Sequence, residues 1–239
     1  MIVGQRKPLG EIRETIAGCR NVLILGCGTC TSVCLTGGDR EALALAHALT
    51  VEQANSESMI SFDVKTIERQ CEKDWVTSFL EIPQETDAIL SLACGAGVQT
   101  LASVIKRIPV LPALNTTFIG AQDDPGVWTE KCRGCGDCML AFTGGICPVA
   151  RCAKRLFNGP CGGSSMGKCE ITPLVGRDVE CAWHAIIERF KELGTMERYL
   201  ELRMPKDWQS ATGSGPRILK RIEQTPYRNM EISEDASMA

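Results

Sequence analysis

Cysteine is the residue type in this sequence most able to do chemistry, with 14 in a chain of 239 residues. A chain of this length can bury a core without disulfide staples. In a reducing compartment, grouped cysteines are typical of metal ligands or catalytic thiols. The sequence contains only 2 histidines, whereas zinc enzymes with an open coordination site usually draw protein ligands from histidine. We therefore expect sites built from thiolates.

The first cysteine group is Cys27-x2-Cys30-x3-Cys34, in the segment GCGTCTSVC. Three thiolates in one tight loop can face a common centre, and the flanking glycines let the backbone donate N–H groups to sulfur. A fourth ligand must come from elsewhere, and Cys94 in ACGAG is the first choice, with Cys71 the second. A thioredoxin-like redox pair at Cys27 and Cys30 is the alternative, although the third nearby cysteine disfavours it.

The second group is Cys132-x2-Cys135-x2-Cys138, followed by Cys147-Pro148. It is similar to the ferredoxin pattern, in which the last cysteine, before proline, serves another cluster. Cys147 therefore predicts a further set of thiolates in the same region. That set is Cys152, Cys161, Cys169 and Cys181. Together these cysteines could hold two [4Fe-4S] clusters side by side.

Zinc is the chemical alternative at each site, because four thiolates also satisfy a structural zinc ion. Zinc sites usually take paired cysteines from two separate knuckles, whereas closely spaced triplets fit the corners of a cubane cluster. We therefore predict two or three [4Fe-4S] clusters on the chain. The sequence shows no acid–base dyad, dinucleotide fingerprint or phosphate-binding loop, so we predict no catalytic residue and no flavin site on it.

The first half of the sequence alternates short apolar runs with helical spacing, which predicts βαβ units. Strands are predicted at 21–26, 59–67, 87–93 and 108–114, and helices at 39–55, 74–80 and 98–106. This pattern indicates an α/β fold with a small, mostly parallel, Rossmann-like sheet. Ligands gather beyond the carboxyl ends of such strands, where Cys27, Cys71 and Cys94 are expected.

The composition changes after residue 126. The stretch 132–169 is rich in Cys and Gly and poor in apolar runs, so metal cross-links are expected to substitute for a conventional core. A closing helix is predicted at 179–193. The predicted units are an α/β domain over 1–126, a cysteine-rich cluster-binding domain with little regular structure and its closing helix over 127–203, and a C-terminal arm over 204–239.

Charge and hydropathy narrow the range of partners. The formal net charge is -3, and the Lys and Arg residues are scattered, so neither a nucleic-acid nor an anionic-membrane partner is predicted. No stretch approaches about 18 consecutive apolar residues, which predicts no membrane span. Residues 1–10 lack the apolar run of a secretion signal, and the expected location is the cytoplasm.

Three short segments carry a family resemblance: GICP at 145–148, NGPCGG at 158–163 and GKCE at 167–170. With CGTCTSVCLTGG and LSLACGAGVQTLA upstream, they resemble the cysteine-rich C-terminal domain associated with methylenetetrahydrofolate reductase. That domain occurs in the small MetV-type subunit of the anaerobic bacterial enzyme. The resemblance spans roughly residues 21–194, and it implies that the second cysteine group belongs to the family's cysteine-rich domain.

The resemblance also implies a partner, a MetF-type barrel subunit that binds FMN or FAD and the folate. The implied reaction is reduction of 5,10-methylenetetrahydrofolate to 5-methyltetrahydrofolate, with the clusters passing electrons to the flavin. The present chain would be a non-catalytic subunit, inactive alone, with a ferredoxin or a further subunit as its electron donor. The alternatives are a zinc-thiolate scaffold of the same complex and an adaptor for corrinoid methyl transfer, for which the sequence shows no binding motif.

Overall fold

The computed structural model describes residues 1–53, 59–206, 208 and 216–217. Its strands are β1 (Ile2–Arg6), β2 (Asn21–Cys27), β3 (Ser61–Ile67), β4 (Ala88–Ser91), β5 (Val110–Pro112), β6 (Leu114–Asp124) and β7 (Val127–Cys132). Its helices are α1 (Leu9–Thr15), α2 (Cys30–Val33), α3 (Asp39–Glu52), α4 (Lys73–Phe79), α5 (Gly95–Val104), α6 (Pro148–Arg151), α7 (Thr172–Val175) and α8 (Ala182–Leu193). Within these residues, no helix combines the length and the apolar character needed to cross a bilayer.

The predicted α/β fold is confirmed. Four parallel strands form one sheet in the order β3-β2-β4-β5, and the intervening helices lie where the apolar spacing placed them. The helix predicted over 39–55 extends to Glu52, and residues 54–55 lie outside the described part of the chain. The sequence predicts this sheet because β2, one of its two inner strands, is a continuous apolar run.

Strand β2 shows how the core is divided between the two faces of the sheet. Val22 and Ile24 pack with α1 and α3 on one face, whereas Leu23 and Leu25 pack with α4 and α5 on the other. All four side chains are at most 1% exposed. Because successive side chains of a strand point to opposite faces, one short run supplies both halves of the core.

The amino end of the parallel sheet is fixed by a carboxylate. Asp87, just before β4, accepts the backbone N–H groups of Arg20 and Asn21 at 2.6 and 2.9 Å. These hydrogen bonds, first that of Asn21 and then that of Arg20, hold the pKa of Asp87 below its ordinary value. The contact joins the start of β4 to the start of β2.

A second, antiparallel sheet of order β1-β6-β7 was not predicted. The turn between β6 and β7 contains Pro125-Gly126, with Gly126 at φ +81°, and a Pro-Gly pair is a common turn signal. The polar sequence of β6, with most of its side chains exposed, hid the strand from a search for apolar runs. The hairpin crosses the predicted boundary at residue 126.

The cysteine-rich part has little regular structure before α8, as expected. It does have an apolar core of its own, formed by Trp183, Ile186 and Phe190 of α8 against Ile146 and Leu156. The expectation that metal would take the place of a core is therefore corrected in this respect. Most of the apolar side chains of this small core come from the closing helix α8, which lies outside the stretch 132–169.

Candidate metal centres

Three cysteines lie at the carboxyl edge of the parallel sheet, as predicted. Cys27 is the last residue of β2, Cys71 follows β3, and Cys94 precedes the first residue of α5, after β4. The three strands are neighbours in the sheet, with β2 in the middle. This edge is where ligands bind in open parallel sheets, near the point at which the strand order reverses.

A buried glutamine joins these strand ends, and the sequence analysis missed it. Gln70 is fully buried, and its Nε2 donates to the carbonyl oxygens of Leu25 and Gly26, both at 2.9 Å. Its Oε1 accepts from Ser91 Oγ at 2.6 Å. A single glutamine in a loop has no sequence signature, so only its tertiary contacts reveal that it connects β2, β4 and the loop that carries Cys71.

The loop after β2 packs tightly against the end of β4. A Cβ atom on Gly37 would lie 2.0 Å from the carbonyl oxygen of Leu92, so only glycine fits there. The carbonyl oxygen of Gly37 accepts the N–H of Cys27 at 2.7 Å. Cys30 begins α2 and is half-buried, whereas Cys34, just after α2, is buried.

The thiol of Cys71 interacts electrostatically with its neighbours. Its partial burial raises the pKa of Cys71, and the nearby thiolates of Cys27 and then Cys94 raise it further. The side chain of Cys71 is nevertheless exposed at the surface. The structure therefore brings Cys71 into the same electrostatic environment as Cys27 and Cys94.

The second candidate centre is a cavity of about 230 Å³ whose lining contains four cysteines together with apolar and charged residues. The four are Cys132, Cys135, Cys138 and Cys147, the complete ferredoxin-like set. Four cysteines are the type of donor set that an iron–sulfur cluster or a structural zinc ion requires. The residue types in the lining thus suit the predicted group, while their side chains do not converge on one metal position.

Glycines shape the loop around this cavity. Gly134 and Gly136 have φ of +59° and +85°, which are left-handed conformations that glycine adopts without steric cost. The N–H of Gly134 donates to Cys132 Sγ at 3.3 Å. This is the N–H to sulfur bond expected of a loop that wraps a thiolate centre.

Two cations from the predicted arm contact the same loop. Lys206 Nζ donates to Cys135 Sγ at 3.2 Å and to the carbonyl oxygen of Asp137 at 2.8 Å. Arg217 Nη2 donates to the carbonyl oxygen of Gly134 at 2.9 Å. Burial raises the pKa of Cys135, but the hydrogen bond from Lys206 helps to outweigh this effect, so the pKa is lowered. Most of the arm predicted over 204–239 lies outside the described residues.

The remaining predicted ligands divide between two environments. Cys181 is buried immediately before α8, and Cys152 packs against the same small core. Cys161 Sγ lies 3.9 Å from Glu170 Oε2, and that carboxylate also pairs with Lys154 at 2.6 Å. The backbone N–H of Cys169 donates to the carbonyl oxygen of Val179 at 2.8 Å, which brings residue 169 near the start of α8.

Glycines also adapt the backbone to the large side chains around α8. A Cβ atom on Gly159 would lie 2.3 Å from Trp183 Cδ1, whereas one on Gly162 would meet nothing within 4 Å. The indole nitrogen of Trp183 donates to the carbonyl oxygen of Leu156 at 3.0 Å. The segment NGPCGG therefore packs directly on α8.

All 14 cysteines are free thiols. Across the part of the chain that the structure describes, no three His, Cys, Asp or Glu side chains converge in an arrangement that would hold a metal ion. The choice of the predicted cysteine ligands, and their division between clusters, stays a prediction.

Strand β6 connects the two candidate centres. Near its start, Thr116 Oγ1 accepts the N–H of Gly95, the residue after Cys94, at 2.8 Å. Farther along, Ile119 is the register partner of Cys132. Three residues of strand correspond to about 10 Å, so a short length of backbone separates the two sites.

The comparison with protein families matches part of the chain. Residues 111–209 match the family described as the methylene-tetrahydrofolate reductase C terminal. The matched segment contains the thiol-lined cavity and α8. No curated protein and no solved structure matches the chain. The match supports a relation to methylenetetrahydrofolate reductase over this segment, in agreement with the resemblance drawn from the sequence.

Proposed function

We propose that this chain is the iron–sulfur, electron-transfer subunit of a methylenetetrahydrofolate reductase complex. The observation that carries the proposal is the cavity lined by the four ferredoxin-like cysteines, inside the segment that matches the reductase family. A [4Fe-4S] cluster held there would supply one-electron chemistry.

The residues of the chain each have a task in holding such a centre. Cys132, Cys135, Cys138 and Cys147 would provide thiolates, and the glycine N–H groups of the loop would bond to sulfur. The ammonium group of Lys206, whose side chain is 5% exposed, would offset part of the negative charge of the thiolates. Hydrogen bonds and charges around the sulfurs are among the features that set the potential of such centres.

A second centre at the edge of the parallel sheet would form the other end of an electron path. One of its cysteines, Cys94, precedes Gly95, which is hydrogen-bonded to β6, and the ferredoxin-like loop begins beside the same strand. The points on β6 that contact the two sites, Thr116 and Ile119, are about 10 Å apart, and this closeness along the strand supports the proposal that electrons pass between the sites.

We assign the flavin and folate chemistry to a MetF-type barrel partner. The described strands form sheets of four and three strands, whereas a (β/α)8 barrel needs eight. In the proposed complex, electrons from a ferredoxin or a further subunit pass through this chain to the flavin, which reduces 5,10-methylenetetrahydrofolate. This chain alone is expected to be inactive in that reaction.

The proposal is tested by mixing the anoxically purified, dithionite-reduced chain, freed of excess reductant, with an oxidised MetF-type flavoprotein. We expect the flavin absorbance to bleach while the visible absorbance of the oxidised clusters returns. The Cys135→Ala variant, which lacks one thiol of the cavity, should transfer electrons more slowly or not at all.

Two results would contradict the proposal. A cluster-loaded chain that binds the flavoprotein without reducing it would remove the electron-transfer role. A chain that holds only zinc under strict anoxia, and still binds the flavoprotein, would favour the scaffold alternative.

A further inference from the structure

The structure points to a ligand set at the sheet edge that differs from the one predicted from spacing. We propose that Cys27, Cys71 and Cys94 bind the same iron–sulfur cluster and that Cys34 is not a ligand. This inference rests on the proposed function, because it names the ligands of one of its two centres.

Sheet topology brings the three cysteines together. Strands β3, β2 and β4 are adjacent and parallel, so their carboxyl ends meet at one edge. Cys27 closes β2, Cys71 comes four residues after β3, and Cys94 comes three residues after β4. Sequence spacing alone cannot show this, because Cys71 and Cys94 are distant in sequence from the motif that contains Cys27.

Gln70 determines where Cys71 lies. Its side chain is hydrogen-bonded to the carbonyl oxygen of Gly26, the residue before Cys27, and to Ser91 at the end of β4. It also packs on the first turn of α5, because a Cβ atom on Gly97 would lie 3.1 Å from Gln70 Cβ. With residue 70 held between the ends of β2 and β4, the next residue cannot move far from either cysteine.

Three cysteines at one sheet edge suit a cluster better than a single metal ion. A cubane cluster offers each thiolate its own iron, so the sulfur atoms need not converge on one point as they must around a single zinc ion. The side chain of Cys71 is exposed at the surface beside this edge.

Cys34 is held more closely by its polar neighbours than Cys27, which is also buried. Its Sγ lies 3.1 Å from Thr36 Oγ1 and 3.6 Å from the carbonyl oxygen of Thr31. The polar neighbours of Cys27 Sγ, Thr29 Oγ1 and the carbonyl oxygen of Glu68, lie at 3.9 and 3.8 Å. The helix that precedes Cys34, α2, packs against β1. The thiol of Cys34 already has polar partners inside the fold, and ligation would require breaking them.

The test measures iron and acid-labile sulfide in the full chain purified under anoxia. We expect Cys71→Ala to lose about four irons per chain, one [4Fe-4S] cluster. Cys34→Ser, which keeps a polar group of similar size, should retain the wild-type iron content. Cys19→Ser is the matched control, because Cys19 is a half-buried cysteine packed against the core of the α/β domain.

A second measurement does not depend on a variant. Alkylation of the wild-type chain, followed by mass spectrometry, should label the exposed Cys71 after the clusters are removed with a chelator, and should leave it unlabelled in the loaded protein. Equal labelling in both states, or full iron in Cys71→Ala together with loss of iron in Cys34→Ser, would overturn the inference. Wild-type protein without iron would overturn the proposed function itself.

Discussion

Replacing Gln70 with leucine tests whether this one side chain holds the strand ends at the first candidate centre. Leucine is close to glutamine in volume, so the substitution removes hydrogen bonds with little change in packing. It would remove the two bonds donated to Leu25 and Gly26 and the one accepted from Ser91. All of these groups lie in the interior around a fully buried residue.

The expected cost follows from the partners left behind. A hydrogen bond contributes about 1 kcal/mol net, and a buried polar group left without a partner costs about 1–3 kcal/mol. The carbonyl oxygen of Leu25 keeps the N–H of Leu92 at 2.9 Å, so its loss is at the low end. The sum is about 3 kcal/mol, a large part of the roughly 5–15 kcal/mol that stabilises a typical domain.

Urea unfolding followed by circular dichroism, under reducing and anoxic conditions, measures the effect. With a slope of about 2 kcal/mol per molar urea, the midpoint of Gln70→Leu should fall by about 1.5 M. Gln99→Leu is the control, because Gln99 is an exposed glutamine on α5 with one local bond to Gly95; it should change the free energy of unfolding by less than about 0.5 kcal/mol. Equal shifts in the two variants would refute the role assigned to Gln70.

Three further predictions concern other parts of the chain. In Gly159→Ala the new Cβ would lie 2.3 Å from the tryptophan of α8, so this variant should lower the free energy of unfolding by about 1–3 kcal/mol. Gly162→Ala is the control, because open space surrounds that position, and it should change the free energy of unfolding little. Similar urea midpoints for the two variants would contradict this. Because hydrogen bonds lower the pKa of Asp87, its stabilisation is present above the ordinary aspartate pKa of about 4 and is lost as pH falls through the lowered value. The difference in urea midpoint between wild type and Asp87→Asn should therefore shrink below about pH 4, and a constant difference would contradict the assignment. Burial raises the pKa of Cys135, but with Lys206 present the net shift of that pKa is downward. In cluster-free reduced protein, Lys206→Met should therefore slow alkylation of Cys135 near neutral pH, because less of the thiol is ionised. Unchanged labelling rates by mass spectrometry would refute the contact.

The parallel sheet could be predicted from the sequence because local patterns determine it. The run from Val22 to Leu25 is apolar throughout, and the spacing of Ala42, Leu45 and Leu49 in α3 is that of a helix with one buried face. Burial follows directly from such patterns. The location of Cys27, Cys71 and Cys94 at the carboxyl ends followed from the same reasoning.

Features that depend on long-range contacts could not be predicted in this way. Strand β6 is too polar to stand out, and its pairing with β1 joins residues more than 100 positions apart. Gln70 and Lys206 are ordinary polar residues in the sequence, and their roles come from contacts with residues 45 and 71 positions away. For β6 a signal did exist, since a Pro-Gly turn lies between two segments rich in β-branched residues.

The central claim is that the cysteines of this chain hold iron–sulfur clusters. It is tested most directly by iron and acid-labile sulfide analysis of the full chain purified under strict anoxia, with an electron paramagnetic resonance spectrum after dithionite reduction. We expect about eight or more irons per chain, as two or more [4Fe-4S] clusters require, and a cluster signal in the reduced protein. A colourless protein that contains zinc alone and gives no such signal would contradict the claim.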